Sequence, residues 1–307
     1  MKLHILNPGP LTTVQDRGRT GYMAFGIGSS GAMDLEAYEA ANKLVGNRRD
    51  EAVLEATLLG PTIRFDGDCV IALTGADMGA KLDGEPLETY RAYPVRADQT
   101  LVMGLAVTGC RGYLAVSGGI DVPVVMGSRS TNLKCQLGGM EGRALKRGDV
   151  LEAAGGELSA ARKKPMRKPD FAQTVTVRVI PGPQDDLFTA NGLKTLWESE
   201  YTVSTSSDRM GLRLEGPAVE TVSGSDIVSD GIAFGAIQVT SAGQPIVLMA
   251  DRQTTGGYAK AGTVCSVDLP KLAQLKPGGI VHMKPITVQE AQRLLRKRRW
   301  MSRLHRL

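Results

Sequence analysis

Histidine is nearly missing from this chain. His4, His282 and His305 are the only three in 307 residues, and none lies in a polar loop cluster. That argues against a Ser-His-Asp or Cys-His catalytic system. The four cysteines, Cys69, Cys110, Cys135 and Cys265, are far apart with no C-x-x-C spacing. A His/Cys zinc site therefore lacks ligands at workable intervals, and no metal is expected. Free thiols suit a reducing compartment, so a cytoplasmic location is expected. No apolar run is long enough to span a bilayer. The opening Met1-Lys2-Leu3-His4 runs straight into Asn7-Pro8-Gly9 instead of a secretory apolar region.

Aromatics are also scarce, at 5%, against 37 glycines and 42% hydrophobic residues. Cores built from such a composition are aliphatic and their turns are many, which favours a β-rich fold over a helical bundle. The net charge of +5 is misleading. Residues 289–307 hold seven Lys/Arg against one acid, Glu290, a charge of +6, so the other residues sum to 5 − 6 = −1. A body so near neutrality gives nucleic-acid binding no compositional support outside the tail.

The remaining chemistry is that of carboxylate, guanidinium, amine, amide and hydroxyl. It is concentrated in residues 251–260, Asp-Arg-Gln-Thr-Thr-Gly-Gly-Tyr-Ala-Lys, after the apolar run Ile246 to Ala250. The run reads as a buried strand that empties Asp251, Arg252, Gln253, Thr254 and Thr255 onto one short loop. Gly256 and Gly257 would let the backbone turn tightly or approach a ligand. Tyr258 and Lys260, two apart, share a face if the chain extends again. Burying such a cluster without purpose is costly. A solvated hairpin loop is the plainer alternative.

Earlier in the chain, residues 2–6 read as a strand. The loop Thr12 to Arg19, containing Gln15 and Asp16, and the glycine-punctuated stretch Gly26 to Gly31 follow it. Neither G-x-G-x-x-G nor G-x-x-x-x-G-K-[ST] occurs there in the right context, so nucleotide binding has little support. A helix follows with Asp34 as cap, Leu35, Tyr38, Ala41 and Val45 on one stripe, and Gly46-Asn47 as its stop. Asn42 lies beside the stripe, as a ligand contact or as an amide capping a loop. Glu55 sits inside the apolar run Val53 to Leu59 and must be paired or raised in pKa. Residues 61–75, 79–88, 99–108 and 111–118 look like successive strands in a meander or barrel. Arg129 and Ser130, within Gly127 to Asn132, could clamp an anion or cap a turn.

Residues 156–173 become charged and proline-broken, as a linker does. The expected organisation is an N-terminal β domain over 1–156, a linker over 157–173 and a C-terminal β domain over 174–286. A basic helix over 287–307 would start at a Thr287/Glu290 capping box. In the second half a helix is expected from about Asp185 to Glu198 and another from Ser266 to Gly278. Leu58-Leu59-Gly60-Pro61 and Leu214-Glu215-Gly216-Pro217 echo one another, as two similar β domains would.

Several motifs together are similar to a known family. They are Thr12-Thr13-Val14-Gln15-Asp16-x-Gly18-Arg19, Ser30-Gly31-Ala32-Met33-Asp34, Ala41-Asn42-x-Leu44-Val45-Gly46-Asn47 and Leu54-Glu55-x-Thr57-x-x-Gly60-Pro61. Ser207-Asp208-Arg209-Met210-Gly211, Gly235-Ala236-Ile237-Gln238 and Ala250 to Tyr258 continue the match. They resemble the biotin-dependent carboxyltransferase-related family, which includes KipA, the allophanate hydrolase subunit 2 proteins and one of the subunits of bacterial 5-oxoprolinase. The resemblance implies a mainly β chain with some α, in two cyclophilin-like β-barrel domains. It implies a KipI-like subunit and a LamB/YcsF-like subunit as partners, and ATP-driven opening of 5-oxoproline to glutamate. No cofactor is expected on this chain, and ATP is expected on a partner subunit.

Two other roles exist in the same family. KipA-like members are regulators that bind a KipI-like kinase inhibitor. Urea carboxylases transfer a carboxyl group from carboxybiotin and would need a biotinylated partner. Here Met283-Lys284 is followed by Pro285 and no biotinyl-length segment, which disfavours a free-standing biotin enzyme. Arg252-Gln253-Thr254 also points to the oxoprolinase side.

All the enzymatic branches must polarise the carbonyl of a planar amide or urea while a proton moves. On that basis Asp251 is the expected acid/base, and Arg252 and Arg209 bind the carbonyl or carboxylate. Glu55 and Lys260 are further catalytic candidates. Gln15, Asp16, Asn42, Arg129, Ser130, Gln238, Gln253, Thr254 and Tyr258 are candidates for holding the small-molecule substrate.

Overall fold

A computed structural model describes residues 1–155 and 164–304, with side chains described through Trp300. The fold is mainly β, and the chain divides into two compact units, Met1–Phe171 and Ala172–Leu307. Of the segment read as a linker, residues 157–163 lie outside the described residues, Arg162 and Lys163 among them. Residues 164–171 have no helix or strand and are fastened to the first unit. Met166 N donates to Tyr90 O at 2.8 Å, and Lys168 Nζ reaches Asp77 Oδ2 at 2.8 Å.

The first unit contains β1 (Lys2–Asn7), β2 (Thr12–Gln15), α1 (Leu35–Leu44), β3 (Val53–Thr57), β4 (Thr62–Phe65) and β5 (Cys69–Asp77). It continues with β6 (Lys81–Leu82), β7 (Glu85–Pro86), β8 (Arg91–Val95), β9 (Thr100–Val102), β10 (Thr108–Val116), β11 (Ile120–Asp121) and β12 (Val150–Ala153). One sheet has the order β11-β12-β1-β4-β9-β6-β7 and the other β2-β3-β10-β5-β8. Both line one core. Leu3, Ile5, Ile63, Phe65, Leu101 and Leu151 come from the first sheet, and Val14, Leu54, Ile71, Leu73, Leu114 and Val116 from the second.

The period of two decides what the second sheet shows on its other face. There Val53, Val70, Ala72, Tyr113 and Ala115 pack under α1 with Tyr38, Ala41, Leu44 and Val45. α1 starts where the sequence places it, since Asp34 Oδ1 accepts from Glu36 N and Ala37 N, each at 3.0 Å. The run read as one strand over 61–75 divides at Asp66-Gly67-Asp68, and 79–88 is the short hairpin β6–β7. Asp83 (φ 49°) and Gly84 (φ 90°) both take the left-handed conformation that a tight two-residue turn demands.

The second unit contains β13 (Thr174–Pro181), α2 (Ala190–Glu198), β14 (Tyr201–Val203), β15 (Gly211–Glu215), β16 (Asp226–Gly231), β17 (Ala236–Val239), β18 (Pro245–Leu248), β19 (Thr255–Tyr258) and β20 (Lys260–Val264). α3 (Leu269–Ala273), β21 (Ile280–Pro285) and α4 (Val288–Leu304) complete it. Seven strands close a barrel in the order β13-β20-β17-β18-β15-β14-β21, with β21 returning to pair in parallel with β13. Closure leaves no open edge in that ladder. β16 and β19 form a separate two-stranded ribbon.

Two helices differ from the sequence reading. α2 begins after Thr189, whose hydroxyl accepts from Gly192 N at 2.9 Å, and Asp185 opens only a single 3-10 turn before it. α3 spans five residues and stops at Ala273, short of Gly278. The expected capping box of α4 is present, with Thr287 N donating to Glu290 Oε2 at 2.8 Å and Glu290 N to Thr287 Oγ1 at 3.2 Å.

Candidate functional site

In the first unit three loops are tied into one knot by Asp16. Its carboxylate accepts from Gly18 N (2.7 Å), Arg129 N (2.6 Å), Ser128 Oγ (2.6 Å) and Ser130 Oγ (2.5 Å). Asp16 N in turn donates to Ser130 Oγ at 2.9 Å, and Asp16 O accepts from Ala32 N at 2.9 Å. Asp16 is 6% exposed and Ser130 is fully buried. These donors fix the carboxylate in place, so Asp16 and Ser130 shape the knot.

Glycine is required where these loops meet. Gly18 and Gly31 both have positive φ, and a Cβ on Gly31 would lie 2.8 Å from Gly18 N. Within the knot three buried polar atoms have no hydrogen-bonding partner among the described residues: Gln15 Oε1, Ser30 Oγ and Arg129 Nε. Buried polar atoms without partners are uncommon and mark places where a ligand or water completes the set. Gln15 is held by its other end, with Nε2 donating to Thr13 Oγ1 (3.0 Å) and Thr131 O (3.2 Å).

Beside the knot runs a polar row across the second sheet. Thr13 faces Glu55, Glu55 faces Tyr113, and Tyr113 faces Thr74. Glu55 is 1% exposed, and its Oε2 accepts from Tyr113 Oη and Met33 N, each at 2.8 Å. Tyr113 Oη also accepts from Asp34 N at 2.8 Å. Burial, then the Glu55 carboxylate, pushes the Tyr113 phenol far up, so it remains a donor. The row thereby anchors the start of α1. Asn42 has a comparable role at the other end of α1. Its Nδ2 donates to Glu51 O (2.9 Å) and its Oδ1 accepts from Asn47 Nδ2 (2.8 Å), so the fully buried amide is occupied.

In the second unit the residues after β18 do not form a free loop. Met249 N donates to Met210 O and Asp251 N to Arg209 O, both at 2.8 Å. This register sets Arg209 against Asp251, with Nε to Oδ2 at 2.9 Å and Nη2 to Oδ1 at 3.1 Å. The two expected reactive groups are therefore each other's partner, in the fork geometry that suits guanidinium and carboxylate. Arg252 turns the other way. Its Nε donates to Ile232 O at 3.1 Å and Nη1 to Met249 O at 3.3 Å, and its guanidinium lies 5.4 Å from the centre of the Phe234 ring. Burial lowers its pKa from the ordinary arginine value, and Asp251 works in the opposite sense.

Gln238 stands on β17 with its Nε2 donating to Tyr258 O at 3.0 Å and its Oε1 accepting from Gln253 Nε2 at 3.5 Å. Gly256 lies in strand β19, not in a turn. A Cβ there would meet Gln238 Nε2 at 2.8 Å and Ile232 Cδ1 at 2.5 Å, so close approach is the reason for glycine. Thr254 O accepts from Ile232 N at 3.1 Å. Lys260 is 3% exposed and its Nζ reaches Asp230 Oδ2 at 2.9 Å, while Gln184 links Lys260 N to the same carboxylate. The Lys260 hydrogen bond holds the Asp230 carboxyl below its usual range. Gln238 and Gln253 thus meet at β17, the buried Lys260 stands opposite Gln238 on the adjacent strand, and Arg252 is set against Ile232 and Phe234 just ahead of β17. Such groups can donate to a carbonyl and accept from an amide N–H.

Residues 25–285 match the carboxyltransferase domain, subdomain A and B. The chain belongs to this carboxyltransferase family. Among its relatives is the 5-oxoprolinase C subunit of Haemophilus influenzae, 39% identical over 96% of this chain and 94% of that protein. The protein of the same name in Escherichia coli is 40% identical over 94% of this chain and 93% of its own length. The crystal structure of the Kluyveromyces lactis urea amidolyase superposes with a TM-score of 0.87 at 31% identity. It matches 95% of this chain, which spans only 19% of that longer protein.

The carboxyltransferase-family chain carries site features that its sequence alone did not single out. Ser128, Arg19 and Tyr113 complete the knot and the polar row, and Asp230 and Gln184 hold Lys260. Arg19 is 1% exposed and donates from Nη2 to Ser130 O at 2.6 Å. These partners are 30 to 114 residues apart in the chain, counting from Lys260–Asp230 to Asp16–Ser130. Arg19 and Ser128 lay inside stretches that the sequence singled out, without being picked themselves; Tyr113, Asp230 and Gln184 had no such signal.

Proposed function

We propose that this chain is a subunit of an ATP-dependent 5-oxoprolinase, which opens 5-oxoproline to L-glutamate together with partner subunits. The observation that carries this reading is the end-to-end match to two proteins named as 5-oxoprolinase C subunits, covering at least 93% of each. The expected partners are a KipI-like subunit and a LamB/YcsF-like subunit, with ATP handled by a partner.

The side chains support a role at the lactam. A five-membered lactam offers one carbonyl acceptor, one N–H donor and a carboxylate. Gln238 and Gln253 supply amide groups of both kinds, and Arg252 a cation that stays protonated even when buried. Donors fixed in advance where charge develops on a carbonyl oxygen stabilise that charge without reorganisation. In the first unit, Gln15 Oε1, Ser30 Oγ and Arg129 Nε are polar atoms suited to a small polar molecule.

The deciding assay is glutamate release from 5-oxoproline and ATP by the KipI-like and LamB/YcsF-like subunits, with and without this chain. Turnover that requires the chain supports the proposal. Stable assembly without any gain in turnover would show a regulator of the KipA type. A second reading, carboxyl transfer to urea or a related amide, is favoured by the superposition on urea amidolyase. It predicts activity that depends on a biotinylated partner and on bicarbonate, which oxoproline opening would not need.

A further inference from the structure

The C-terminal helix has two unlike faces. α4 rests on the second unit through one side. Ala291, Leu294, Leu295 and Arg298 are half-buried, and Arg298 Nη1 donates to Ser266 O at 3.3 Å. These positions fall at the spacing of three, four and seven that defines one helix face. On the opposite side Arg293, Arg296, Lys297 and Trp300 repeat the same spacing, and all four are exposed. At about 100° per residue the two stripes are roughly 160° apart, so the basic stripe points away from the body of its unit.

Two further facts separate this stripe from an ordinary solvated face. The only acid in the helix sequence, Glu290, is turned back onto Thr287 in the capping box and lies a turn below most of the cations. And Trp300, one of two tryptophans in the chain, is 62% exposed among the basic residues. Arginine and tryptophan are among the side chains most enriched at the energetic centres of protein interfaces. Polyanion binding is less well matched. The stripe's three cations span about 6 Å of helix and would neutralise about three phosphates; residues 289–307 together sum to +6, but the residues outside them sum to −1 and add no supporting field.

We propose that the Arg293–Arg296–Lys297–Trp300 stripe docks an acidic protein surface, that of a partner subunit. The inference rests on the multi-subunit reading given above. An acidic patch with an apolar recess for the indole would complement the stripe. The charges would hasten and orient the encounter, and Trp300 would supply most of the buried apolar area.

The test uses the full chain and the purified KipI-like and LamB/YcsF-like subunits, with binding measured by calorimetry at low and moderate salt. Wild-type protein should bind one of them, and more weakly as salt rises. The Arg293→Glu/Arg296→Glu/Lys297→Glu variant should bind at least about tenfold more weakly, and Trp300→Ala should do likewise at either salt. Thermal melting should be unchanged in both variants, because the side chains lie on the exposed face. Unchanged affinity in the charge-reversal variant overturns the docking proposal and leaves the oxoprolinase reading standing. Failure of the wild-type chain to bind either subunit overturns both. A 20-mer DNA duplex and phosphatidylserine vesicles serve as further arms. Tight binding to either that is lost in the variant, with subunit binding intact, replaces the protein partner with a polyanion.

Discussion

Arg209 and Asp251 face each other through two parallel hydrogen bonds, and their side chains are 3% and 6% exposed. Removing one partner of such a buried pair leaves a charge without compensation, which costs about 3–5 kcal/mol. Asp251→Asn and Arg209→Met should therefore each lower the melting temperature of the second unit by several degrees. The double variant Arg209→Met/Asp251→Leu should lose less than the two single changes summed. If Asp251 instead acts only as an acid or base, Asp251→Asn should abolish turnover at unchanged melting temperature. Calorimetric melts and oxoprolinase assays on the same three proteins separate these outcomes.

Asp268 gives the second unit an acid-sensitive anchor. The carboxylate is fully buried and accepts from Arg178 N (2.9 Å), Arg178 Nε (2.7 Å) and Arg178 Nη2 (2.7 Å), with Lys271 Nζ at 2.9 Å. Burial opposes its charge, but Arg178 and Lys271 outweigh burial and hold the carboxyl below the usual aspartate range. A group whose pKa is lower folded than unfolded stabilises the fold above its unfolded value, about 3.9. That contribution drains away as the pH falls through the folded value. Asp268→Asn should thus be about 3 kcal/mol less stable than wild type at pH 6. The gap should narrow below pH 4. Urea titrations of both proteins between pH 6 and pH 3 measure it.

What could be read in advance, and what could not, follows the range of the interactions. α1 and α4 were legible because their caps are local, Asp34 to Glu36 and Ala37, and Thr287 to Glu290. The β6–β7 turn was not placed: 79–88 read as one strand, although Asp83-Gly84 is a local turn signal. Barrel closure was implied only by family likeness, because the parallel β13–β21 pairing joins residues about a hundred positions apart. The site shows the same division. Asp251 and Arg252 were visible as a charged run, but consecutive residues point apart. One pairs with Arg209 and the other turns to Ile232 O and Phe234. Gly256 was visible as a glycine, but no local signal separates one that turns the chain from one that makes room for a neighbour's side chain.

The knot around Asp16 predicts a loss that spreads over three loops. Asp16→Ala would leave Gly18 N, Arg129 N, Ser128 Oγ and Ser130 Oγ without their shared acceptor. A buried donor left unpaired costs about 1–3 kcal/mol, so the total loss is expected to exceed any single-hydroxyl change. Ser128→Ala and Ser130→Ala should each be milder, because Asp16 keeps three donors in either case. Hydrogen exchange should show faster amide exchange at Gly18, Ala32 and Arg129 together in Asp16→Ala. Exchange confined to one of the three segments would contradict the knot.

Gly256→Ala tests the amide cluster with a single methyl. Gly256 lies in β19 outside the left-handed region, so alanine imposes no backbone strain there. The added carbon would stand 2.5 Å from Ile232 Cδ1, 2.8 Å from Gln238 Nε2 and 3.2 Å from Gln253 Nε2. Ile232 can shift, but Gln238 is held by Tyr258 O and touches Gln253, so the two amides must separate. Overpacking of this kind costs about 1–3 kcal/mol. The barrel, which the ribbon only adjoins, should still fold with its far-ultraviolet spectrum intact. If Gln238 and Gln253 hold the lactam, the assembled enzyme should show a KM for 5-oxoproline raised at least about tenfold, the loss of one or two directed hydrogen bonds. Gly257→Ala is the control, since its nearest neighbour, Ile227 O, would be 3.5 Å from the new carbon, an ordinary contact. Equal KM values in the two variants would show that the amide pair does not touch the substrate.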